Sequence, residues 1–398
     1  MSEYSGHDQN GVSVGIVRRK YFTFAEPPEQ MILESGAELG PVTLAYETYG
    51  TLNRENNNVV MVFHALSGNS HAAGYYSERD EKPGWWDNMI GPGRGIDTNK
   101  YFVICSNIVG SCYGSTGPAS VNPKNGREYA LEFPLVTISD MVKAQKKLID
   151  HLGIKNLLCL VGGSIGGMQA LEWAVRYPEM VTSVVSLAST CKRSALSIGL
   201  SEAQRQAIMA DPAWNNGNYY GRAVPEKGLA LARMIGHITY LSENSMRQKF
   251  GRKRKNNSVF KYDFSNDFQV ESYLHYQGKK FANRFDANSY LYITKASDYF
   301  DLGEQMGEGS LVKAFSRTCS RFLVVSFSSD WLYPTYQSRE MVQAMKKAGL
   351  NVSFCEVDTD FGHDSFLLAN EQLEKLISGF LGRIHNENKN RNSMIKEK

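Results

Sequence analysis

The chain has 398 residues, 42% hydrophobic and 21% charged, with 44 basic against 41 acidic side chains for a net charge of +3. That is ample apolar chain for a large core, while so small a net charge argues against a protein that as a whole binds nucleic acid or a charged membrane surface, and no apolar run reaches membrane-spanning length. Six scattered cysteines (Cys105, Cys112, Cys159, Cys191, Cys319, Cys355) without C-x-x-C spacing read as buried free thiols of a reducing compartment, so a cytoplasmic protein with no metal centre is expected.

Residues 1–19 are polar, lack the apolar core of a signal peptide and read as a loose start. From Lys20, the runs YFTF, MILESG and VTLAYETYG read as short antiparallel strands opening a sheet. Val59 to Phe63 is a buried strand that ends in His64-Ala65-Leu66-Ser67-Gly68, and Tyr101 to Ile108 is another. Trp85 and Trp86, in the Gly/Pro-rich stretch between them, read as loop anchors over the core. The loop GSCYGSTGP (Gly110 to Pro118) follows a strand end, where open α/β sheets meet their ligands, but it lacks the Lys-Ser/Thr of a phosphate loop. Ser139 to Leu152 reads as a helix with Ser139 as N-cap and Gly153 as its stop.

The stretch LLCLVGGSIGGMQALEWAVRY (Leu157 to Tyr177) then places Ser164 on a tight turn between an apolar strand and an amphipathic helix, in the G-x-S-x-G pattern of a nucleophile elbow. A second match, Gly11-Val12-Ser13-Val14-Gly15, has neither strand nor helix beside it and reads as chance. With the strand at Val181 to Leu187, the elbow gives the β-α-β alternation of a parallel sheet covered on both faces. The alternation breaks near Thr190. About 125 residues of polar, mostly helical sequence follow, including the amphipathic segment Gly228 to Ser242, before Arg321 to Phe327 resumes a buried strand. Such an insertion would cap the C-terminal edge of the sheet. Its basic run KFGRKRKNN (Lys249 to Asn257) reads as a solvated loop, and the Asn/Lys-rich end of the chain as a frayed tail. The expected fold is therefore α/β, of the α/β-hydrolase type: a core over 20–189 and 316–385, a helical lid over 190–315, and flexible ends at 1–19 and 386–398.

A serine hydroxyl becomes a strong nucleophile when a base takes its proton and a third group holds that base in the right tautomer. In the α/β-hydrolase order the carboxylate and then the histidine follow later strands. Asp330 lies just past Phe322 to Phe327, and His363 follows the strand Val352 to Val357, with Asp358 and Asp360 as nearby competitors for the acid. Of the other histidines, His64 and His71 precede the serine, His237 and His275 fall in the insertion, and His7, His151 and His385 lack a strand end. The tetrahedral oxyanion of acyl transfer needs two N–H donors, expected from the backbone of Ile165 and of Leu66.

Taken together, PVTLAYETYGTLN, HALSGNSH, GWWDNMIGPGRGIDTNKYFVICSN, GSTGP, GGSIGGMQALEWAVRYP, GLALARMIGHITYLSE, SSDWLYP and FGHDSFL, spread from about Tyr21 to Leu381, resemble the homoserine O-acetyltransferases. The resemblance implies acetyl transfer from acetyl-CoA, a co-substrate, to L-homoserine through an acyl-serine in methionine biosynthesis, with no resident cofactor and dimerisation through the lid. It also implies that Arg233 and Asp364 bind the amino-acid acceptor, which suits a zwitterion that needs one cation and one anion. Tyr240, on the same segment as Arg233, is a further candidate for the substrate pocket. Within the family, succinyl-CoA as donor or serine as acceptor remain alternatives; an esterase or thioesterase, or a non-catalytic binding protein on the same fold, are the rivals outside it.

Overall fold

The computed structural model describes residues 13–255 and 259–396, with side chains described through residue 389. Residues 1–12 (with His7, Gly11 and Val12), the end of the basic run at Asn256 and Asn257, and the last two residues lie outside the described residues.

Eight strands form the central sheet: β1 (Lys20–Phe24), β2 (Val42–Tyr49), β3 (Val59–Phe63), β4 (Phe102–Ser106), β5 (Cys159–Gly163), β6 (Ser183–Leu187), β7 (Arg321–Phe327) and β8 (Val352–Val357). They lie in the order β1-β2-β4-β3-β5-β6-β7-β8, with β2 antiparallel to both neighbours and every pair from β4 to β8 parallel. The segment MILESG is not a sheet strand. It supplies half of a separate two-residue ladder, Met31–Ile32 against Glu38–Leu39. The strands β3, β5 and β6 are buried along their whole length. This explains their unbroken apolar sequence, since helices cover both faces of a parallel sheet.

Helices α1 (Ile138–His151) and α2 (Ile165–Arg176) flank β5 in the chain, and α10 (Thr335–Lys347) and α11 (Glu371–Lys396) belong to the last part of the core. Thr137, not Ser139, caps α1. Its hydroxyl accepts from the Asp140 N–H while the Asp140 carboxylate accepts from the Thr137 N–H, a reciprocal capping box that outranks a lone serine. Trp86 is buried and its indole N–H donates to the Phe366 carbonyl, so it anchors its loop to the segment after β8.

Between β6 and β7 the chain is helical: α3 (Ala195–Met209), α4 (Glu226–Tyr240), α5 (Glu243–Lys249), α6 (Gln269–Ala282), α7 (Ala287–Asp298), α8 (Leu302–Gly307) and α9 (Leu311–Phe315). Parts of the two ends have defined contacts or secondary structure where the structure describes them. The Val17 N–H donates to the Tyr75 carbonyl and the Tyr75 N–H to that of Gly15, and Arg19 lies 3.8 Å from the buried carboxylate of Glu47. At the other end α11 runs on through Lys396 without a break. Cys319 is exposed, since it precedes β7 and does not sit within it. Among the described residues no helix is long and apolar enough to cross a membrane.

Candidate active site

Strand β5 is central in the sheet, and the turn to α2 leaves its C-terminal end with Ser164 at φ 57°, ψ −125°, a region L-residues rarely occupy. Holding a non-glycine residue there costs on the order of 1–3 kcal/mol, and surrounding contacts must enforce it. Two do so directly: the Ser164 N–H donates to Leu187 at 3.0 Å, and the Ser189 hydroxyl donates to the Ser164 carbonyl at 2.8 Å. The turn is tight enough that a Cβ on Gly166 would stand 2.3 Å from the Phe63 carbonyl oxygen, which is why the motif demands glycine there. Ser13 has no such setting; its hydroxyl accepts from the Gly15 N–H two residues on.

Asp330 leaves the end of β7 and His363 follows β8, and the parallel register of these strands brings both to the edge where Ser164 stands. His363 Nε2 lies 2.9 Å from Ser164 Oγ, and Nδ1 lies 2.8 Å from Asp330 Oδ2. A carboxylate can only accept, so Nδ1 carries the proton and Nε2 is free to accept from the serine hydroxyl. The other Asp330 oxygen accepts the backbone N–H groups of Leu332 at 3.0 Å and Tyr333 at 2.9 Å, which fix the carboxylate plane. All three side chains are buried. The competitors are elsewhere: Asp358 and Asp360 are exposed, the first accepting from Ser328 at 2.6 Å and the second from Gln248 at 3.2 Å.

Ile165 is the first residue of α2, and its N–H has no carbonyl one turn back to bond. Leu66 lies in the turn after β3. That turn is braced by a residue the sequence reading set aside as a base: His64, fully buried, donates from Nδ1 to the Ala65 carbonyl at 2.8 Å and accepts the Ile108 N–H on Nε2 at 3.2 Å. Burial pushes the imidazole down to about 4, so both bonds persist with the ring neutral.

Arg233 and Tyr240 stand on α4 over the same edge. The Arg233 guanidinium lies 4.6 Å from the Phe281 ring centre and 5.2 Å from that of Tyr240, and it reaches toward Ser67 Oγ at 3.5 Å. The Tyr240 ring is 6.1 Å from that of His363. Asp364 sits beside the histidine. Burial raises its carboxyl above the usual carboxylate range, against the opposing pull of His363 and Arg233. Every candidate read from the sequence, Ser164, Asp330, His363, Leu66, Ile165, Arg233, Asp364 and Tyr240, thus gathers at one edge of the sheet.

Two further residues belong to it. The Tyr333 ring packs 5.0 Å from the His363 ring, and its hydroxyl accepts from Arg193 at 3.0 Å. Arg193 in turn donates to Ser197 and Ser201 of α3 at 2.6 and 2.7 Å and sits 3.7 Å from Asp298 of α7, tying the insertion to the acid loop. Neither carries a local signal; both are marked only by the three-dimensional packing. Among the described residues no three His, Cys, Asp or Glu side chains group as metal ligands.

An eight-stranded, mostly parallel sheet with a serine on a strained strand-to-helix turn, and an aspartate and histidine at later strand ends, defines the α/β-hydrolase class. The family described as alpha/beta hydrolase fold matches residues 58–369. The homoserine O-acetyltransferase of Solidesulfovibrio magneticus is 60% identical over 384 residues, 96% of this chain and 97% of its own. Among solved structures, the homoserine O-acetyltransferase of Bacillus anthracis superposes with a TM-score of 0.85 at 34% identity, covering 92% of this chain and 98% of that one. Esterase E22 superposes at 0.83 with 31% identity, covering 92% and 100%. The chain belongs to the homoserine O-acetyltransferase family of α/β-hydrolase-fold proteins.

Proposed function

We propose that this protein transfers the acetyl group of acetyl-CoA to the hydroxyl of L-homoserine, giving O-acetyl-L-homoserine for methionine biosynthesis, through an acyl-serine on Ser164. The observation that carries the reading is the continuous hydrogen-bond chain from Ser164 Oγ through His363 to Asp330, with Arg233 and Asp364 beside it.

Ser164 Oγ attacks the thioester carbonyl carbon as its proton passes to His363 Nε2, and Asp330 steadies the imidazolium so formed. The N–H groups of Ile165 and Leu66 hold the oxyanion. Collapse breaks the C–S bond, the Nε2 proton goes to the sulfur, and free coenzyme A departs. The homoserine hydroxyl then gives its proton to the same Nε2 and attacks the acyl carbon, and collapse returns the proton to Ser164 Oγ. Arg233 pairs with the acceptor carboxylate and Asp364 with its ammonium, which fixes the attacking hydroxyl and lets it outcompete water.

Esterase E22, 31% identical, supports one rival: hydrolysis on the same scaffold. Thiol release from acetyl-CoA, measured with and without homoserine, separates the two. Release that depends on homoserine supports transfer; equal release without it indicates a hydrolase, and none in either case a binding protein. Running succinyl-CoA and L-serine alongside assigns donor and acceptor. A Ser164→Ala protein that kept the parent rate would refute the acyl-serine. The same reading makes the protein cytoplasmic, which the free cysteines among the described residues support. It also makes the protein a homodimer through the helical insertion, whose exposed apolar side chains Leu231, Ile238 and Tyr276 support a self-contact that light scattering would test.

A further inference from the structure

The helical insertion carries a basic edge that the acyl-transfer chemistry leaves unused. From Arg247 to Lys255, six of the chain's 44 basic residues fall in nine positions that contain no acid, so this is a local excess within a chain of net charge only +3. Lys249, Arg252, Lys253 and Arg254 are all exposed, and among the described residues none of the four is ion-paired with a carboxylate. Three of them lie against rings: Lys249 Nζ is 4.5 Å from the Tyr273 ring centre, and the Arg252 and Arg254 guanidinium groups are 5.3 Å from those of Phe268 and Phe260 respectively. Cations interleaved with aromatic faces suit a ligand that combines a stacking base with phosphates.

The edge is linked to the active site through packed rings. Lys249 lies nine residues beyond Tyr240, at most about 19 Å away at extended and helical rises together. Tyr273, under Lys249, has its hydroxyl 3.2 Å from His237 Nδ1, and the His237 ring is 6.0 Å from that of Tyr240. Burial pushes His237 down to about 3, and Arg233, Lys249 and Arg284 push the same way, so charges of the site and of the edge act on one ring. The other cations near the triad have other roles: Arg193 lies 3.7 Å from Asp298, and Arg233 is assigned above to the acceptor carboxylate.

The geometry points to the 247–255 edge as the docking surface for the nucleotide end of the acyl donor, its phosphates on Lys249, Arg252, Lys253 and Arg254 and its base against the neighbouring rings, with the pantetheine arm passing Tyr273 and His237 to reach Ser164. His237 Nε2 is buried without a hydrogen-bond partner among the described residues, so a polar contact from that arm requires the neighbouring rings to part. The inference rests on acetyl-CoA as donor and concerns how its phosphorylated end is held.

The test is the triple variant R252Q/K253Q/R254Q, whose side chains are exposed, in the full chain. The ratio of kcat/KM for acetyl-CoA to that for acetyl-pantetheine, which has no phosphates, should fall roughly tenfold, as expected for three exposed charge contacts. Titration with coenzyme A should show Kd rising by a similar factor, with the difference fading in high salt. An unchanged ratio and Kd overturn the inference. So does a variant that becomes monomeric, or loses retention on duplex DNA, while keeping the parent affinity for coenzyme A; those results assign the edge to self-association or to nucleic acid. Should the parent bind coenzyme A yet transfer nothing, the transfer reading fails, and the Kd comparison alone decides the docking surface.

Discussion

Gly362 stands so close to Tyr240 that a Cβ on the glycine would lie 2.6 Å from the tyrosine carbonyl oxygen and 2.7 Å from the Ser242 N–H. The residue before the histidine and the end of α4 are thus fitted backbone to backbone. Gly362 also has φ 69°, and its N–H donates to Ser329 Oγ at 2.9 Å. Gly362→Ala should therefore displace the histidine or the insertion. The left-handed conformation costs on the order of 1 kcal/mol for a residue with a Cβ, and the backbone clash adds to it at the junction of the histidine loop with the insertion. Loss of kcat by about a hundredfold, with a native circular dichroism spectrum, is the expected outcome, on the scale of a misplacement near 1 Å at reacting atoms.

Asp330 offers one oxygen to His363 and the other to two backbone N–H groups. Asp330→Asn would place an amide that can donate where only an acceptor belongs, favouring the wrong tautomer of the histidine. A fall in kcat of roughly 10³–10⁴ is expected, with acyl-enzyme forming slowly in a single-turnover assay. A variant within tenfold of the parent would show that the hydrogen bond at 2.8 Å has no orienting role.

The strand-end rule found this triad because parallel strands bring residues distant in sequence to one sheet edge, and the order Ser164, Asp330, His363 needs no side-chain detail to be read. The limits of that reading are equally physical. The cap of α1 went to Ser139 because both Ser139 and Thr137 are good caps; the choice was settled by Asp140 reaching back to Thr137. Arg193 and Tyr333 were invisible because their meeting joins residues 140 apart through a phenol and a guanidinium, types that are common everywhere. The polar tail carries no sign of its secondary structure, and α11 continues through it as helix to Lys396.

Asp364 pays for its position. Burial is the largest influence on its carboxyl and raises it, so the folded protein holds that proton more tightly than the unfolded chain. Stability from this group is then complete at acid pH and is lost as pH rises through the raised value. Asp364→Asn, which cannot ionise, should melt higher than the parent at neutral pH, and the gap should close as pH falls below about 4. The same variant should lose roughly 10- to 100-fold in kcat/KM for homoserine, the scale of one charge-assisted hydrogen bond, while still releasing thiol from acetyl-CoA in a first turnover. Higher melting with intact acceptor kinetics would remove Asp364 from the acceptor site.

His64 sets an opposite pH dependence. Its ring is fully buried and held near 4, below the ordinary 6.5, because the charged form would be desolvated, against the opposing pull of the Ala65 carbonyl. The unfolded chain therefore binds this proton first. The stability it gives is complete above about 6.5 and is lost as pH falls toward about 4, a loss on the order of 3 kcal/mol from this group alone. His237, pushed down to about 3, acts in the same direction. Urea unfolding between pH 7 and 4 should show uptake of more than one proton on unfolding, and His237→Gln should reduce that uptake by about one. Because His64 also braces the turn at Leu66, activity of the parent should fall in the same acid range before secondary structure is lost. Activity and near-native stability that both persist at pH 4 would show that neither ring is held neutral by the fold.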